Sequence, residues 1–147
     1  MISSKEKQIY FEQYKILVES AEKISDKRMT ANNFFLTLNT AFISLFGLML
    51  TSTIITTQIL MNIILPLGIV LSFIWLLIIL SYKQLNSRKF SLIHKLEKEL
   101  PIQLFEKEWK ELGEGKNMKK YMPLSHVELC VPIIFLLFYL VLLFTLC

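Results

Sequence analysis

Only two cysteines, two histidines, four glycines and four prolines occur in the 147 residues of this chain. Those shortages exclude whole classes of protein. Two cysteines, Cys130 and Cys147, do not make the framework of a disulfide-stapled domain. Both fall on one predicted helix about 25 Å apart, too far to bond to each other. Cys147 pairing between subunits in an oxidising periplasm is the alternative. His94 and His126 belong to no H-E-x-x-H pattern, and P-loop, C-x-x-C and G-x-S-x-G motifs are missing too. We therefore expect no enzyme and no cofactor or metal site.

Apolar residues are what the chain has in excess, 54% of the total with a mean hydropathy of +0.52. They gather into three stretches: Asn33–Ile54, Ile59–Tyr82 and Val131–Cys147. At ~1.5 Å per residue the first two reach about 33 and 36 Å, enough to cross a ~30 Å hydrocarbon core with tilt. The third reaches about 25 Å and gains about 6 Å if it begins at Val127, at the cost of taking in Glu128. The runs are continuous, not alternating, so helices are expected and a barrel is not. The predicted fold is an all-α membrane protein. Residues 1–31 form an amphipathic helix, 32–54 the first span, 55–58 an outer turn and 59–82 the second span. A helical cytoplasmic segment, 83–126, leads to the last span, 127–147.

Orientation follows from lysine and arginine. Residues 1–31 hold six, residues 51–58 none and residues 83–128 ten. Both basic segments are placed in the cytoplasm, with the neutral turn and the C-terminus outside. Acids are interleaved throughout, which favours a membrane-adjacent reading of the net charge of +4 over a nucleic-acid surface. The charged start lacks the pattern of a signal peptide.

Within 5–31, Tyr10, Tyr14, Leu17, Ala21 and Ile24 recur at spacings of four and three. No Pro or Gly separates this segment from the first span, so one helix from Lys5 to Ile54 is expected, about 75 Å long. Lys83–Glu99 continues the second span until Pro101 ends it. Phe105–Leu112 forms a short helix closed by Gly113, with Trp109 expected to anchor it. Ser125 and Glu128 have the spacing of a capping box for the last span. Pro132 is tolerated there if it falls in the first turn or so. Trp75, deep in the second span, is expected to pack and not to mark the interface.

The first span carries small and polar residues in a line: Asn33, Thr37, Thr40, Ser44, Gly47 and Thr51. At about 100° per residue they share an arc of about 80°. Such a stripe packs against another helix or faces water in a pore built by several subunits. Packing within one monomer is the commoner outcome. Asn32 and Asn39 lie about 100° away and are expected to bond to other helices, fixing subunit register. If the helix is unbroken, Glu12, Lys15, Glu19, Glu22 and Asp26 continue the stripe's phase. In a ring of subunits Glu19, Glu22 and Asp26 would stack as acidic rings that concentrate cations; singly, they make an ordinary solvated face. Arg88 and His94 form R-x5-H, a spacing used by small helical ribonucleases and matched by many unrelated pairs. His126, beside the inner membrane surface, is a candidate pH sensor or an interfacial residue.

Several segments in order resemble one family. They are Tyr14-Lys-Ile-Leu-Val-Glu-Ser-Ala-Glu-Lys-Ile-Ser25, Ala31-Asn-Asn-Phe-Phe-Leu-Thr-Leu-Asn-Thr-Ala41, Ser81-Tyr-Lys-Gln-Leu-Asn-Ser87, Lys89-Phe90, Glu108-Trp109, Leu112-Gly113 and Val131-Pro132. Together they resemble the RipA-like family of small octameric bacterial inner-membrane proteins. The resemblance implies a three-span subunit, a ring of eight and a sizeable cytoplasmic portion. Some relatives accompany RNA-guided antiphage defence as membrane pores; others are linked to envelope stress and growth inside host cells. Eight helices about 10 Å apart would place their axes on a radius of about 13 Å, leaving a bore near 8 Å after a helix radius of about 5 Å. That bore implies weak selectivity with cations favoured, or a lipid plug at rest. The expected partners are further copies of the chain, the lipid bilayer and a cytoplasmic protein or nucleotide trigger of unspecified identity. The expected function is a homo-oligomeric pore or permeabilising effector. The alternatives are a non-conducting scaffold or envelope or pH-stress factor and, more remotely, a membrane-tethered ribonuclease.

Overall fold

The computed structural model describes residues 4–51, 58, 60–115 and 124–146. Among them lie four α-helices and no strand: α1 (Ser4–Leu50), α2 (Leu65–Glu97), α3 (Leu104–Glu111) and α4 (Leu124–Leu146). Helices α1, α2 and α4 are each long and apolar enough to cross a membrane. A π-helical turn, Leu60–Ile64, precedes α2. Its position suits Pro66, which has no N–H for the carbonyl four residues earlier and crowds it with its ring; a widened turn relieves both.

The expected continuity of the N-terminal helix holds through Leu50. Thr51 lies in a turn, and residues 52–57, with most of the expected outer turn, lie outside the described residues. The second span also runs without a break into its charged extension, ending at Glu97. There Glu99 N and Leu100 N donate to Leu96 O and Glu97 O, tightening the chain ahead of Pro101.

The chain divides into two compact units. The polar unit joins Met1–Arg28 to Ser81–Leu124, and the apolar unit joins Met29–Leu80 to Ser125–Cys147. The division coincides with charge. All sixteen Lys and Arg residues belong to the polar unit, and Glu128 is the one charged residue of the apolar unit.

Inside the apolar unit, Phe46, Leu65 and Tyr139 form one buried cluster and Phe35, Trp75 and Ile79 a second. Phe135 packs on both. The Trp75 ring stacks on Phe35 with centroids 6.0 Å apart and an interplanar angle of 11°. Gly68 makes room for Tyr139 in the first cluster: a Cβ there would lie 2.6 Å from its ring carbons. Gly68→Ala is therefore expected to cost about 1–3 kcal/mol by overpacking, read as a lower thermal midpoint in detergent. Gly47→Ala is the control, since its added methyl meets nothing within 4 Å.

The expectation for Trp109 is corrected, and the condition set for Pro132 is not met. Trp109 is exposed, and α3 buries none of its residues. Phe105 makes the ring contacts instead, with Tyr14 at 6.4 Å and Phe90 at 5.9 Å. Four residues separate the two aromatics, so they lie near one face, but the earlier one is the one whose ring packs on Tyr14 and Phe90. Pro132 is not in the first turn of α4; it lies eight residues after Leu124, inside a helix that continues past it. A proline this deep in a spanning helix is tolerated where neighbouring helices and local adjustment accommodate the freed carbonyl, and Pro132 is fully buried. α4 begins at Leu124, ahead of the expected cap, and the side chains of Ser125 and His126 lie outside those described.

Candidate functional site

Five of the six stripe residues, Asn33, Thr37, Thr40, Ser44 and Gly47, stand on α1 and are exposed. Thr51, just past the helix end, is exposed as well. Among the described residues, packing within the chain does not bury this face. Three of its four hydroxyls nonetheless bond back to the helix. Thr40 Oγ1 donates to Leu36 O at 2.7 Å, Ser44 Oγ to Thr40 O at 2.9 Å and Thr51 Oγ1 to Leu48 O at 2.8 Å. A hydroxyl has one proton and two lone pairs. With the proton turned back on the helix, these side chains present acceptors outward.

Polar groups are buried on another side of α1, about 100° round from the stripe. Asn39 Nδ2 donates to Phe35 O at 2.9 Å, and Asn39 Oδ1 accepts from Ser72 Oγ at 3.0 Å. Ser72 Oγ also lies 2.9 Å from Gly68 O, so one proton is shared between two acceptors. Asn32 Oδ1 accepts the Trp75 indole N–H at 2.9 Å. Both asparagines thus tie α1 to α2 of the same chain, where an unpaired amide would cost several kcal/mol in hydrocarbon. These two contacts contribute to the packing of one protomer.

A helical protein with three such apolar helices, an exposed small-residue stripe and every Lys and Arg in one unit has the features of a membrane assembly. The sequence matches the Octameric membrane protein family (8xMP) over residues 11–147. The chain belongs to that family. It is an oligomeric membrane protein built from spanning helices. No curated protein and no solved structure matches it.

In this family member the polar unit has a second centre that sequence patterns missed. Glu97, the last residue of α2, is fully buried. Its Oε1 accepts from Tyr14 Oη at 3.1 Å and from Phe105 N at 2.9 Å, and its Oε2 accepts from Glu106 N at 3.0 Å. Phe105 and Glu106 are the second and third residues of α3, whose own N-cap residue, Gln103, makes no side-chain cap bond. A carboxylate from another helix therefore caps α3, supplying the missing acceptor and complementing the positive end of the helix dipole. The signal lay in the sequence as an acid four residues after Ile93 on the apolar side of α2, close before a helix start. For Ser72, the signal was its spacing from Gly68, a small-xxx-small pair in the second span.

Burial, followed by the hydrogen bond to Glu97 and its charge, pushes the Tyr14 phenol from 10.0 up to about 12. A raised folded-state pKa means that the stabilisation is complete below the unfolded value and is lost as pH rises through the folded one. Stability linked to this contact should therefore fall between about pH 10 and pH 12. Denaturation midpoints across that range should decline less in Tyr14→Phe, and phenolate absorbance difference spectra should lack the late-titrating ring.

Glu19, Glu22 and Asp26 are exposed on the polar unit's stretch of α1, as are Glu12 and Lys15. Lys15 Nζ sits 4.8 Å from the Phe11 ring centroid. Arg88 is exposed, while His94 packs edge-on to Phe90 at 6.5 Å. Six residues apart on one helix, Arg88 and His94 point about 120° away from each other, so one chain does not bring them onto a shared face. Cys130 is exposed and in no disulfide; Cys147 lies outside the described residues.

Proposed function

We propose that this protein assembles as a ring, octameric as the family's name states, and acts as a pore or permeabilising effector of the bacterial inner membrane. The exposed stripe of α1 is the observation that carries this reading. Lipid offers nothing to a line of Asn, Thr, Ser and Gly, and the chain itself leaves the line uncovered. In a ring the stripe faces the bore. Its outward lone pairs suit cations, and Glu19, Glu22 and Asp26 add acidic rings on the polar unit. The proposed activity is not enzymatic.

The basic polar unit lies in the cytoplasm and the C-terminus in the periplasm, following the lysine and arginine asymmetry. The physiological setting is antiphage defence, in which opening the ring collapses the membrane potential of an infected cell; this part rests on the resemblance. Reconstituted protein in planar bilayers should give stepwise, weakly cation-selective conductance. A silent bilayer under activating conditions would count against the pore.

A second reading is a non-conducting scaffold or stress factor. Gly47, with nothing within 4 Å of its would-be Cβ, favours it by allowing close approach of a helix from another copy. On that reading the stripe is dry, and substitutions along it change assembly without changing membrane potential.

A further inference from the structure

The polar unit carries an apolar groove of about 400 Å³ between α1 and α2. Gln13, Ile16 and Leu17 line it from α1, and Leu92, Lys95 and Leu96 from α2. Ile16 is 65% exposed and Leu92 48% exposed. These side chains belong to the unit that holds every lysine and arginine, so the lipid that would cover apolar groups elsewhere in the chain does not explain them.

We infer that the groove receives Phe11 of the next copy in the ring. Three observations lead there. First, the chain belongs to an oligomeric family, so further copies are the partners at hand. Second, a closed ring needs a heterologous contact, in which one patch meets a different patch on the neighbour. Third, the polar part of α1 offers such a pair. With the acidic line of Glu19, Glu22 and Asp26 toward the axis, Ile16 lies on one flank, and Phe11, 46% exposed, lies on the other. An aromatic side chain entering an apolar groove is the usual form of a strong interface contact. The occupant is thus a second copy of this chain, presenting one benzyl group. The inference rests on the ring proposed above and adds the contact that sets the order of subunits within it.

Disulfide trapping tests it in full-length protein in membranes, with Cys130→Ser and Cys147→Ser as background. Phe11→Cys combined with Leu92→Cys should give, on mild oxidation, a ladder of adducts ending in a closed ring. Phe11→Cys with Ile16→Cys tests the same groove from α1. Differently tagged chains, one with Phe11→Cys and one with Leu92→Cys, should yield a mixed dimer when co-expressed, since only contact between copies can join them. An intact oligomer that forms neither adduct would overturn the groove assignment and leave the ring standing. Monomers throughout would overturn both.

Discussion

Thr40→Trp should silence the conductance of the reconstituted protein while leaving the protomer folded and the oligomer assembled. Thr40 is exposed, and its side chain donates to Leu36 O on its own helix. An indole there meets no core residue, so folding of one chain should tolerate it. In a ring of eight, however, eight indoles would enter a bore near 8 Å and form an apolar constriction that dewets. We expect a fall in conductance of at least roughly tenfold, with Ser44→Leu giving a smaller fall by the same route. Thr40→Val separates size from chemistry. It keeps the volume and removes the outward lone pairs, so conductance should persist while cation preference weakens. Oligomer size in detergent must be measured beside the currents. Loss of assembly with Thr40→Trp would favour the scaffold reading, and unchanged conductance would remove the stripe from the bore.

The second large effect concerns Glu97. Glu97→Ala strands the Phe105 and Glu106 amides and the Tyr14 hydroxyl in a buried place, and should destabilise the polar unit by about 3 kcal/mol or more. Glu97→Gln is the sharper variant. Its amide still accepts at one position, but its NH₂ cannot accept from either backbone N–H, so one bond of the cap becomes a clash of donors. Hydrogen exchange at the Phe105 and Glu106 amides should show protection falling together in both variants. Tyr14→Phe, which removes one of the three bonds and leaves the cap intact, should cost only about 1 kcal/mol. Equal protection in wild type and Glu97→Gln would mean that α3 is held by Phe105 and not by its cap.

Much of the architecture was legible because a membrane-spanning helix writes itself along contiguous residues. The uncharged stretch, the basic segments on either side and the missing helix breakers before the first span each act through local rules of length, charge and backbone freedom. The stripe was legible for the same reason, as a periodicity on one helix. Its covering was not. Whether small polar residues meet their own chain depends on which face of α1 the other helices choose, and that choice is a property of shape. The face chosen holds Asn39 and Phe35, where Ser72 and Trp75 give complementary partners.

The same division explains Trp109, expected as an anchor, and Pro132, expected to be tolerated near a helix start. Trp109 is the larger ring and lies within one helical turn of Phe105, yet exposure separates them, because only Phe105 reaches Tyr14 and Phe90. Pro132 looked like a residue for a helix start, but its burial in the packed interior decides that it can stand deeper. By itself, then, the sequence determined three spans, an unbroken N-terminal helix, the placement of charge and a line of small residues, since each depends on neighbours along the chain. Only the tertiary structure decided that this line is left open, that Asn32 and Asn39 join helices of one protomer and that Glu97 caps α3. Those outcomes depend on groups far apart in sequence meeting at hydrogen-bonding distance, which no local pattern encodes.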